Sequence, residues 1–353
     1  MALRMPEPGQ LLEIFSALGF VTSSPRMIPV LQRAYKAARV SDTTVLLQGE
    51  TGTGKQVLAR AIHRLDEKRR NFPFVTVHCS TVSESLVESE LFGHCRGSFS
   101  GAVSSRGGLF QSANRGTVFL DDVNDLPLSL QPKLLDVLQR GIVRPLGSDR
   151  EVPLDVRVIA AANRPLEPLV QQGKFRPDLF HRLNVIQLTL PPLRDRAEDF
   201  AALVLEFARR YAGLHERIES LDPGLVQYLQ GCRFEGNVRE LENAVQRMLI
   251  MKDEGNSFTR ADWLQQEEQS GPAAPRRDDI LQATNLLWVA MLEHEVPFQE
   301  LMRRIESELL QRALRTSGKT RREIAKLLKT SERTLYHKIQ AHRIGSSQRR
   351  AAS

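Results

Sequence analysis

One glycine-rich segment, residues 49–55, has the composition of a polyphosphate-binding loop. Its three glycines allow successive backbone N–H groups to curve around phosphate oxygens, and its lysine adds a full positive charge. A short apolar run precedes the segment and a helical stripe of apolar residues follows it, which predicts a strand, a loop and a helix. The alternative is an ordinary glycine turn between a strand and a helix. The predicted nucleotide-binding residues are Gly49, Glu50, Thr51, Gly52, Thr53, Gly54, Lys55 and Gln56.

Gln56 follows the lysine at the position where a P-loop usually has Ser or Thr as a magnesium ligand. A magnesium ion must therefore rely on other groups. Asp121 and Asp122 follow the apolar run 117–120, and open α/β sheets bind ligands at the carboxyl ends of their strands. We expect Asp121 to hold Mg²⁺ through water and Asp122 to orient the attacking water. In isolation, such a pair of acids is more often a turn or a helix cap.

Three further polar residues are candidates for catalysis. Asn163 ends the apolar run 158–162, where it can sense a γ-phosphate or position water, although a lone Asn can equally be a turn residue. Arg176 and Arg182 are six residues apart. A guanidinium offered across a subunit boundary can stabilise the charge that develops as the γ-phosphate leaves. Surface salt bridges are the alternative for this segment.

The elements that must position these residues form an α/β pattern. Between residues 21 and 192, strand-like apolar runs alternate with helical patterns, which predicts a parallel sheet with helices on both faces. After Pro191 and Pro192 the strand signal disappears, and residues 193–266 are predicted to be a helical lid. The predicted strands are 45–47, 74–77, 118–120, 156–161 and 185–190.

The composition is that of a globular protein of two or three domains, with 41% apolar and 26% charged residues among 353. No apolar run approaches the roughly 20 residues of a membrane span, and no signal peptide opens the chain, so we expect a cytoplasmic protein. Cys79, Cys95 and Cys232 lack metal-binding spacing and are expected to be reduced thiols. Residues 1–20 are too few for an input domain, so we expect regulation to come from elsewhere.

The net charge of +7 is concentrated near the C-terminus, where residues 312–350 contain twelve Lys or Arg and two Glu. This imbalance indicates a basic partner site. Residues 267–297 are predicted to be a linker, polar and proline-containing at first, with an apolar stretch at 280–296 that can form a helix. Helices are predicted at 298–315, 320–328 and 331–341, within a domain 298–345 that a tail, 346–353, follows.

An ordered series of motifs closely resembles the sigma-54-dependent transcription activators, or bacterial enhancer-binding proteins, of the AAA+ ATPase superfamily. Besides the P-loop, the series comprises Glu-Leu-Phe-Gly-His (90–94), Gly-Ser-Phe-Ser-Gly-Ala (97–102), Phe-Leu-Asp-Asp (119–122), Phe-Arg (175–176), Leu-Pro-Pro-Leu-Arg-Asp-Arg (190–196) and Gly-Asn-Val-Arg-Glu-Leu (236–241). The resemblance implies an α/β AAA+ domain with a helical lid and a C-terminal Fis-type helix-turn-helix domain.

The resemblance also implies a contact loop for sigma-54. The family's GAFTGA sequence becomes Gly97, Ser98, Phe99, Ser100, Gly101 and Ala102 in this chain. Its glycines favour mobility, and an apolar Phe99 tip is costly to expose unless it meets a partner. Ser100 keeps the hydroxyl of the family's Thr, so we expect contact with sigma-54 to be retained; a plain hairpin turn is the alternative.

By the same resemblance, Arg176 and Arg182 act on the neighbouring subunit, and Arg239 reaches from the lid to the nucleotide. The chain departs from the family at three positions. Asp122 replaces the usual Glu, Ala162 replaces a frequent Thr, and His78 replaces an Asn that holds the catalytic acid in an inactive pose. These departures affect the expected turnover rate more than nucleotide binding.

The C-terminal segment resembles a Fis-type helix-turn-helix motif. A small core is predicted from Ile324, Ala325, Leu328, Leu335 and Ile339. Side chains expected to contact double-stranded DNA are Arg321 and Arg322 near phosphates and Arg333, Thr334, His337 and Lys338 in a major groove. A basic helix pair that binds an acidic protein is the alternative. The preceding helix would supply a dimer interface through Leu301, Ile305, Leu309 and Leu310.

Together these features predict an ATP- and Mg²⁺-dependent activator that forms a homo-oligomer, most simply a hexamer, and remodels sigma-54 RNA polymerase at promoters. A second hypothesis is a DNA-binding regulator with weakened or lost ATPase activity, in which nucleotide controls assembly alone. A third is a general AAA+ remodelling protein such as a clamp loader, against which residues 97–102 and the Fis-like end argue.

Overall fold

The computed structural model describes residues 5–79, 84–98, 104–211, 218–252, 254–270, 297–316, 321–327 and 330–342. Two compact units are formed, Met1–Ser270 and Gly271–Ser353. Within the described ranges, no helix has both the length and the apolar character needed to span a membrane.

The first part of the larger unit is an α/β domain in which helices and strands alternate along the chain. In chain order the elements are α1 (Pro8–Ala17), α2 (Ile28–Ala38), β1 (Val45–Gln48), α3 (Lys55–Leu65), β2 (Phe74–His78), α4 (Glu84–Phe92), β3 (Gly93–His94), β4 (Arg106–Gly107), α5 (Leu109–Ser112), β5 (Thr117–Asp121), α6 (Gln131–Arg140), β6 (Ile142–Val143), β7 (Val152–Pro153), β8 (Arg157–Ala162), α7 (Glu167–Gln171), α8 (Pro177–Leu183) and β9 (Ile186–Thr189).

The five longer strands form one sheet in the order β2-β5-β8-β1-β9, and every neighbouring pair is parallel. The predicted parallel sheet is therefore confirmed. The register places Gln48 opposite Ala162. The carboxyl ends of β1, β5 and β8 consequently meet at one edge of the sheet, where the chain leaves each strand for a polar segment.

Alternating strand residues supply two apolar layers, as a sheet covered on both faces requires. Leu46, Leu120 and Ala160 belong to the layer that also contains buried residues of α4, α5, α6 and α8. Leu47 and Phe119 belong to the opposite layer, with buried residues of α1, α2 and α3. The strands are thus held between two helical layers, and their polar ends are fixed relative to one another.

The sequence did not predict two short antiparallel pairs, β3 with β4 and β6 with β7. Each strand in them has two residues, too few to show an alternating pattern. The connection between β6 and β7 bonds to the first pair, because Leu146 N–H donates to the Gly93 carbonyl at 2.9 Å and Cys95 N–H donates to the Leu146 carbonyl at 2.9 Å.

The lid follows the α/β domain and is mainly helical. Its elements are α9 (Asp199–Arg210), β10 (Ser220–Leu221), α10 (Pro223–Gly231), α11 (Asn237–Met251), β11 (Ser257–Phe258) and α12 (Arg260–Ser270). The helices enclose an apolar core with Phe200, Leu241 and Trp263. No strands were expected after Pro192, but β10 and β11 form a short parallel pair. Helix α12 also extends past the predicted lid boundary at residue 266.

The described part of the second unit contains three helices, α13 (Phe298–Thr316), α14 (Arg321–Leu327) and α15 (Glu332–Ala341). Leu310, Ile324, Ala325 and Leu335 form its buried core, and Ile339 packs against them. Leu328, also expected in this core, and the helix expected at 280–296 lie outside the described residues.

Candidate nucleotide-binding site

The glycine-rich loop lies between β1 and α3, as its pattern predicts. Lys55 begins α3, and its side chain curls back so that Nζ donates to the carbonyl oxygens of Gly49 at 2.6 Å and Glu50 at 3.0 Å. The Gly49 N–H donates to the Ala162 carbonyl at 3.2 Å, which ties the loop to the end of β8. The lysine is thereby held at the N-terminus of the helix.

Two positions in the loop require glycine because of their backbone conformation, and one of them also because of a close contact. Gly54 has φ +102° and Gly52 has φ +80°, both in the left-handed region that side chains disfavour. A Cβ atom at Gly52 would also lie 2.1 Å from the carbonyl oxygen of Gly236 in the lid. The loop therefore depends on glycine both for its turn and for close contact with the lid.

The carboxylates expected at the end of β5 lie beside the same loop. Asp121 is the last residue of β5, and Asp122 follows with φ +52°. Asn163 Nδ2 donates to Asp122 Oδ1 at 3.0 Å, so the sheet brings together the predicted acid and the predicted amide. Burial and the neighbouring Asp121 raise the pKa of Asp122. Burial lowers the pKa of Lys55, while the two carboxylates oppose that shift.

Lys55, Asp121 and Asp122 border one cavity of about 310 Å³ between the α/β domain and the lid, whereas Asn163 is not among the residues that line it. Gln56 and Arg239, both predicted to contact nucleotide, contribute to its wall. The lining residues are Thr51, Gly52, Gly54, Lys55, Gln56, Val57, Asp121, Asp122, Val238, Arg239 and Glu242.

A second, smaller cavity of about 80 Å³ adjoins the loop and shares Gly54, Val57, Val238 and Glu242 with the first. Phe20 and Phe207 line it, so its wall is suited to a flat apolar ring. No motif in the sequence indicates this cavity, because its residues come from distant segments of the chain. Val57 belongs to the apolar stripe after the lysine, yet 39% of it is exposed.

His78, which stands where the resemblance implies an Asn, is the last residue of β2. It is paired in register with Asp121, and its Nδ1 lies 3.5 Å from Asp121 Oδ2. The side chain that bonds the second carboxylate, Asp122, is Asn163.

Arg176 is partly exposed and Arg182 is exposed, and neither is among the residues that line the loop cavity of their own chain. Arg176 donates to the carboxylate of Asp178 at 2.7 and 3.1 Å, and Arg182 donates to the Leu138 carbonyl at 2.8 and 3.0 Å. The structure thus separates these arginines from the groups gathered around Lys55.

Three lid-side residues that contact the P-loop were not assigned as site residues from the sequence. Arg194 binds the Glu50 carboxylate, buried Arg196 donates to the Thr53 carbonyl, and buried Asn237 donates to the Thr51 carbonyl. Two of the quoted motifs, 190–196 and 236–241, contain them. The spacing of these residues within their motifs does not indicate the contacts, because each contact joins two residues more than 140 positions apart in the sequence.

The donors at this site fit Mg²⁺. In the described ranges, no cluster of three or more His, Cys, Asp or Glu side chains is suited to a metal ion. Mg²⁺ typically takes one or two carboxylates and completes its shell with water and substrate phosphates. Asp121 beside the P-loop is a carboxylate of that type, and Gln56 stands where a hydroxyl ligand is usual.

Of the predicted sigma-54 contact loop, Gly97 and Ser98 are described, whereas Phe99, Ser100, Gly101 and Ala102 lie outside the described residues. The β3–β4 pair brings together the segments on either side of the loop, with Gly93 opposite Gly107 and His94 opposite Arg106.

The predicted DNA-contacting residues lie on α14 and α15. Arg322, Arg333, Thr334, His337 and Lys338 are exposed, and the side chain of Arg321 lies outside the described residues. Lys338 forms an ion pair with Glu306 of α13. Ser331 caps α15 by accepting a hydrogen bond from the Thr334 N–H at 3.0 Å.

The parallel sheet, the P-loop between its first strand and α3, the paired acids on β5 and the helical lid define the class of AAA+ P-loop proteins. Residues 20–189 match the Sigma-54 interaction domain, and residues 194–280 match an AAA+ ATPase lid domain. The chain belongs to the family of sigma-54-dependent transcriptional regulators.

Relatives of known identity agree with this assignment. The chain is 38% identical to the regulatory protein AtoC of Escherichia coli over 92% of this chain and 68% of AtoC. It is 44% identical to the sigma-54-dependent transcriptional regulator SfnR of Pseudomonas fluorescens, over 70% of this chain and 68% of SfnR. It is 43% identical to the Nif-specific regulatory protein of Bradyrhizobium diazoefficiens over 70% of this chain, but the match covers only 42% of that protein.

A solved structure has the same fold. NtrX from Brucella abortus, in complex with ATP, matches with a TM-score of 0.64 and 29% identity, over 92% of this chain and 69% of that one.

Proposed function

We propose that this chain is an ATP-dependent transcription activator that binds upstream double-stranded DNA and remodels sigma-54 RNA polymerase into the open complex. In this proposal it acts as a homo-oligomeric ring, most simply a hexamer. The observation that carries the proposal is the meeting of Lys55, Asp121 and Asp122 in one cavity beneath Arg239 of the lid. A nucleotide phosphate chain accounts for these groups together, because the lysine and the loop bind phosphate oxygens while the carboxylates suit a bound metal ion and a water molecule.

The roles of the residues follow from their chemistry. Backbone N–H groups of the loop and Lys55 bind the phosphates, while the cavity lined by Phe20 and Phe207 accommodates the base. Mg²⁺, held by Asp121, would neutralise charge on the phosphate oxygens. Asp122 accepts a proton from the attacking water, and Asn163 fixes the direction of its carboxylate.

The two arginines complete the site from outside. Arg176 and Arg182 are absent from the wall of their own cavity, which supports a role at the cavity of a neighbouring subunit. A guanidinium provided in this way stabilises charge on the departing phosphoryl group. Hydrolysis then requires assembly, and its rate per chain rises with protein concentration.

Phe99 is proposed to transmit the result of hydrolysis to sigma-54, with Gly97, Ser98, Ser100, Gly101 and Ala102 as the remainder of the contact loop. The test is in vitro transcription from a sigma-54 promoter with ATP, comparing the unmodified protein with Phe99→Ala. We expect Phe99→Ala to lose open complexes while its ATP hydrolysis persists. Leu128→Ala removes an apolar side chain that is 51% exposed and serves as the control. Open complexes formed equally well by Phe99→Ala would contradict the role of the loop.

DNA binding is assigned to residues 298–345, with α13 as the dimer interface. The exposed side chains of Arg333 and His337 on α15 support this proposal. Arg333→Ala should weaken binding to a specific site about 10-fold. Arg304→Ala removes another exposed arginine, which is paired with Glu300 on α13, and should leave affinity unchanged. Equal losses in the two variants would indicate nonspecific attraction alone.

A second candidate, a DNA-binding regulator in which nucleotide controls assembly without turnover, has one specific observation in its favour. Asn163 engages one carboxylate oxygen of Asp122, which is already shorter than the family's Glu by one methylene. Robust phosphate release by the unmodified, assembled protein would reject this candidate.

A further inference from the structure

The lid contacts the P-loop through the backbone of the loop itself. Three successive carbonyl oxygens accept hydrogen bonds from lid-side residues. The pairs are Thr51 with Asn237 Nδ2 at 3.0 Å, Gly52 with the Val238 N–H at 3.0 Å, and Thr53 with Arg196 Nη2 at 2.8 Å.

These contacts determine where the N–H groups of the loop point. A trans peptide unit is planar, and its C=O and N–H groups point in opposite directions. Holding the carbonyls of Thr51 and Thr53 toward the lid-side donors therefore turns the N–H groups of Gly52 and Gly54 away from those donors. Gly52 and Gly54 line the cavity assigned to the phosphates.

Asn237 is the most connected of the three donors. Its Oδ1 accepts from the Leu193 N–H at 2.7 Å, and its Nδ2 lies 3.2 Å from Glu50 Oε2 as well as 3.0 Å from the Thr51 carbonyl. It is completely buried, with φ +54°, a conformation that Asn and Asp tolerate better than other side chains. One amide thus joins the start of the lid, the start of α11 and the loop.

Glu50 is the partner of this amide within the loop. The guanidinium of Arg194 donates to both of its carboxylate oxygens, at 2.6 and 2.8 Å, and this hydrogen-bonded ion pair lowers the pKa of Glu50. Bidentate pairs of this kind fix orientation as well as charge. Glu50 therefore gives the loop a second attachment to lid-side residues besides its backbone.

We propose that Asn237 and Glu50 are positioning residues that couple docking of the lid to phosphate binding by the P-loop. The inference rests on the proposed function, because it assumes that the loop binds a nucleotide. In this arrangement the lid aligns the N–H groups of the loop before the phosphate arrives. Less ordering of the loop is then required when the phosphate binds.

Asn237→Asp provides a conservative test. The substitution keeps the size, the oxygen that accepts from Leu193 and the tolerance for positive φ. It removes the donor to Thr51 and places a negative charge beside Glu50. In the full chain we expect the affinity for a non-hydrolysable ATP analogue, measured by calorimetry, to fall about 10-fold.

Asn256→Asp is the matched control, because Asn256 Nδ2 lies 3.2 Å from Glu219 Oε2, also in the lid and not at the loop cavity. This variant creates the same carboxylate pair and should bind the analogue as the unmodified chain does. Equal weakening in Asn237→Asp and Asn256→Asp would overturn the inference.

A double-variant cycle distinguishes positioning from a general loss of structure. Glu50→Gln alone should weaken analogue binding about threefold, because it loses the charged pair with Arg194. Combined with Asn237→Asp, its side-chain amide can donate to the new carboxylate, so we expect the double variant to bind more tightly than Asn237→Asp. Strictly additive losses would overturn the proposed coupling.

The outcomes separate the inference from the proposed function. An unmodified chain that fails to bind the analogue refutes nucleotide binding itself. An unmodified chain that binds, with Asn237→Asp binding equally, refutes the positioning role alone. If circular dichroism shows that Asn237→Asp does not fold, Glu50→Gln decides the matter, because unchanged affinity in that variant would also refute the role.

Discussion

Asn163 and Asp122 are joined by a hydrogen bond of 3.0 Å from the Nδ2 of the amide to the Oδ1 of the carboxylate. They follow neighbouring parallel strands, in which Leu120 lies opposite Ala160. Asp122 also holds φ +52°, a conformation that costs roughly 1–3 kcal/mol for a residue other than glycine. The position of this carboxylate is therefore fixed by the sheet and the amide together.

Asp122→Asn should abolish most ATP hydrolysis and leave nucleotide binding intact. Asn tolerates the left-handed backbone but cannot take a proton from water, so we expect phosphate release to fall about 100-fold or more. Asp125→Asn is the control, because Asp125 is a nearby carboxylate that pairs with exposed Arg164 at 3.1 Å. Unchanged turnover in Asp122→Asn would remove this residue from the mechanism.

Asp122→Glu tests whether the shortened acid limits the rate. The longer side chain restores the reach of the family's Glu, so we expect faster phosphate release at saturating ATP, with little change in KM. If the unmodified protein does not hydrolyse ATP and Asp122→Glu does, the result would support the second candidate function. Slower hydrolysis in the variant than in an active unmodified protein would show that the site is built for Asp.

Arg176→Ala should lose hydrolysis by about 100-fold or more while retaining ATP binding. Because the guanidinium is proposed to act on a neighbouring subunit, mixing this variant with Lys55→Ala should restore part of the activity that neither has alone. Arg39→Ala removes an exposed arginine, which is paired with Glu67, and should be neutral. Failure of the mixture to recover activity would argue against action between subunits.

The ion pair of Asp66 and Arg157 should make a large contribution to stability. The Arg157 Nη1 donates to Asp66 Oδ2 at 2.7 Å, and both side chains have no exposed surface. Asp66→Asn leaves a buried guanidinium without its counter-charge, which should cost about 3–5 kcal/mol in urea unfolding. Glu67→Gln breaks an exposed pair with Arg39 and should cost less than about 1 kcal/mol. Similar costs in the two variants would contradict this ranking.

Cys79 should react far more slowly with iodoacetamide than Cys95 or Cys232 in the folded protein. Cys79 is buried, and burial together with nearby Asp121 raises the pKa of its thiol to about 12. At pH 8 only about one thiol in ten thousand would be ionised, and the thiolate is the reactive form. Mass spectrometry of the alkylated peptides measures the three rates. Equal rates in urea, where burial is lost, are the control, and equal rates in the folded chain would refute the prediction.

The sequence sufficed for the sheet because its five main strands are short segments rich in apolar residues that alternate with helical patterns. It did not predict β6 and β7, since a two-residue strand has no period to detect. In the same way, the wall formed by Phe20 and Phe207 became visible only in three dimensions. The last turn of α12, up to Ser270, falls in a segment whose polar composition indicated a linker.

The amino-acid sequence by itself determined that this is an α/β P-loop protein with paired acids, an amide and separated arginines, because each of those groups follows a local pattern. Tertiary structure alone decided which groups meet: Asn163 with Asp122, His78 with Asp121, and Asn237 with Glu50. The reason is physical. A side chain's type and its immediate backbone are encoded locally, whereas a hydrogen bond between residues 187 positions apart depends on how the lid packs against the loop.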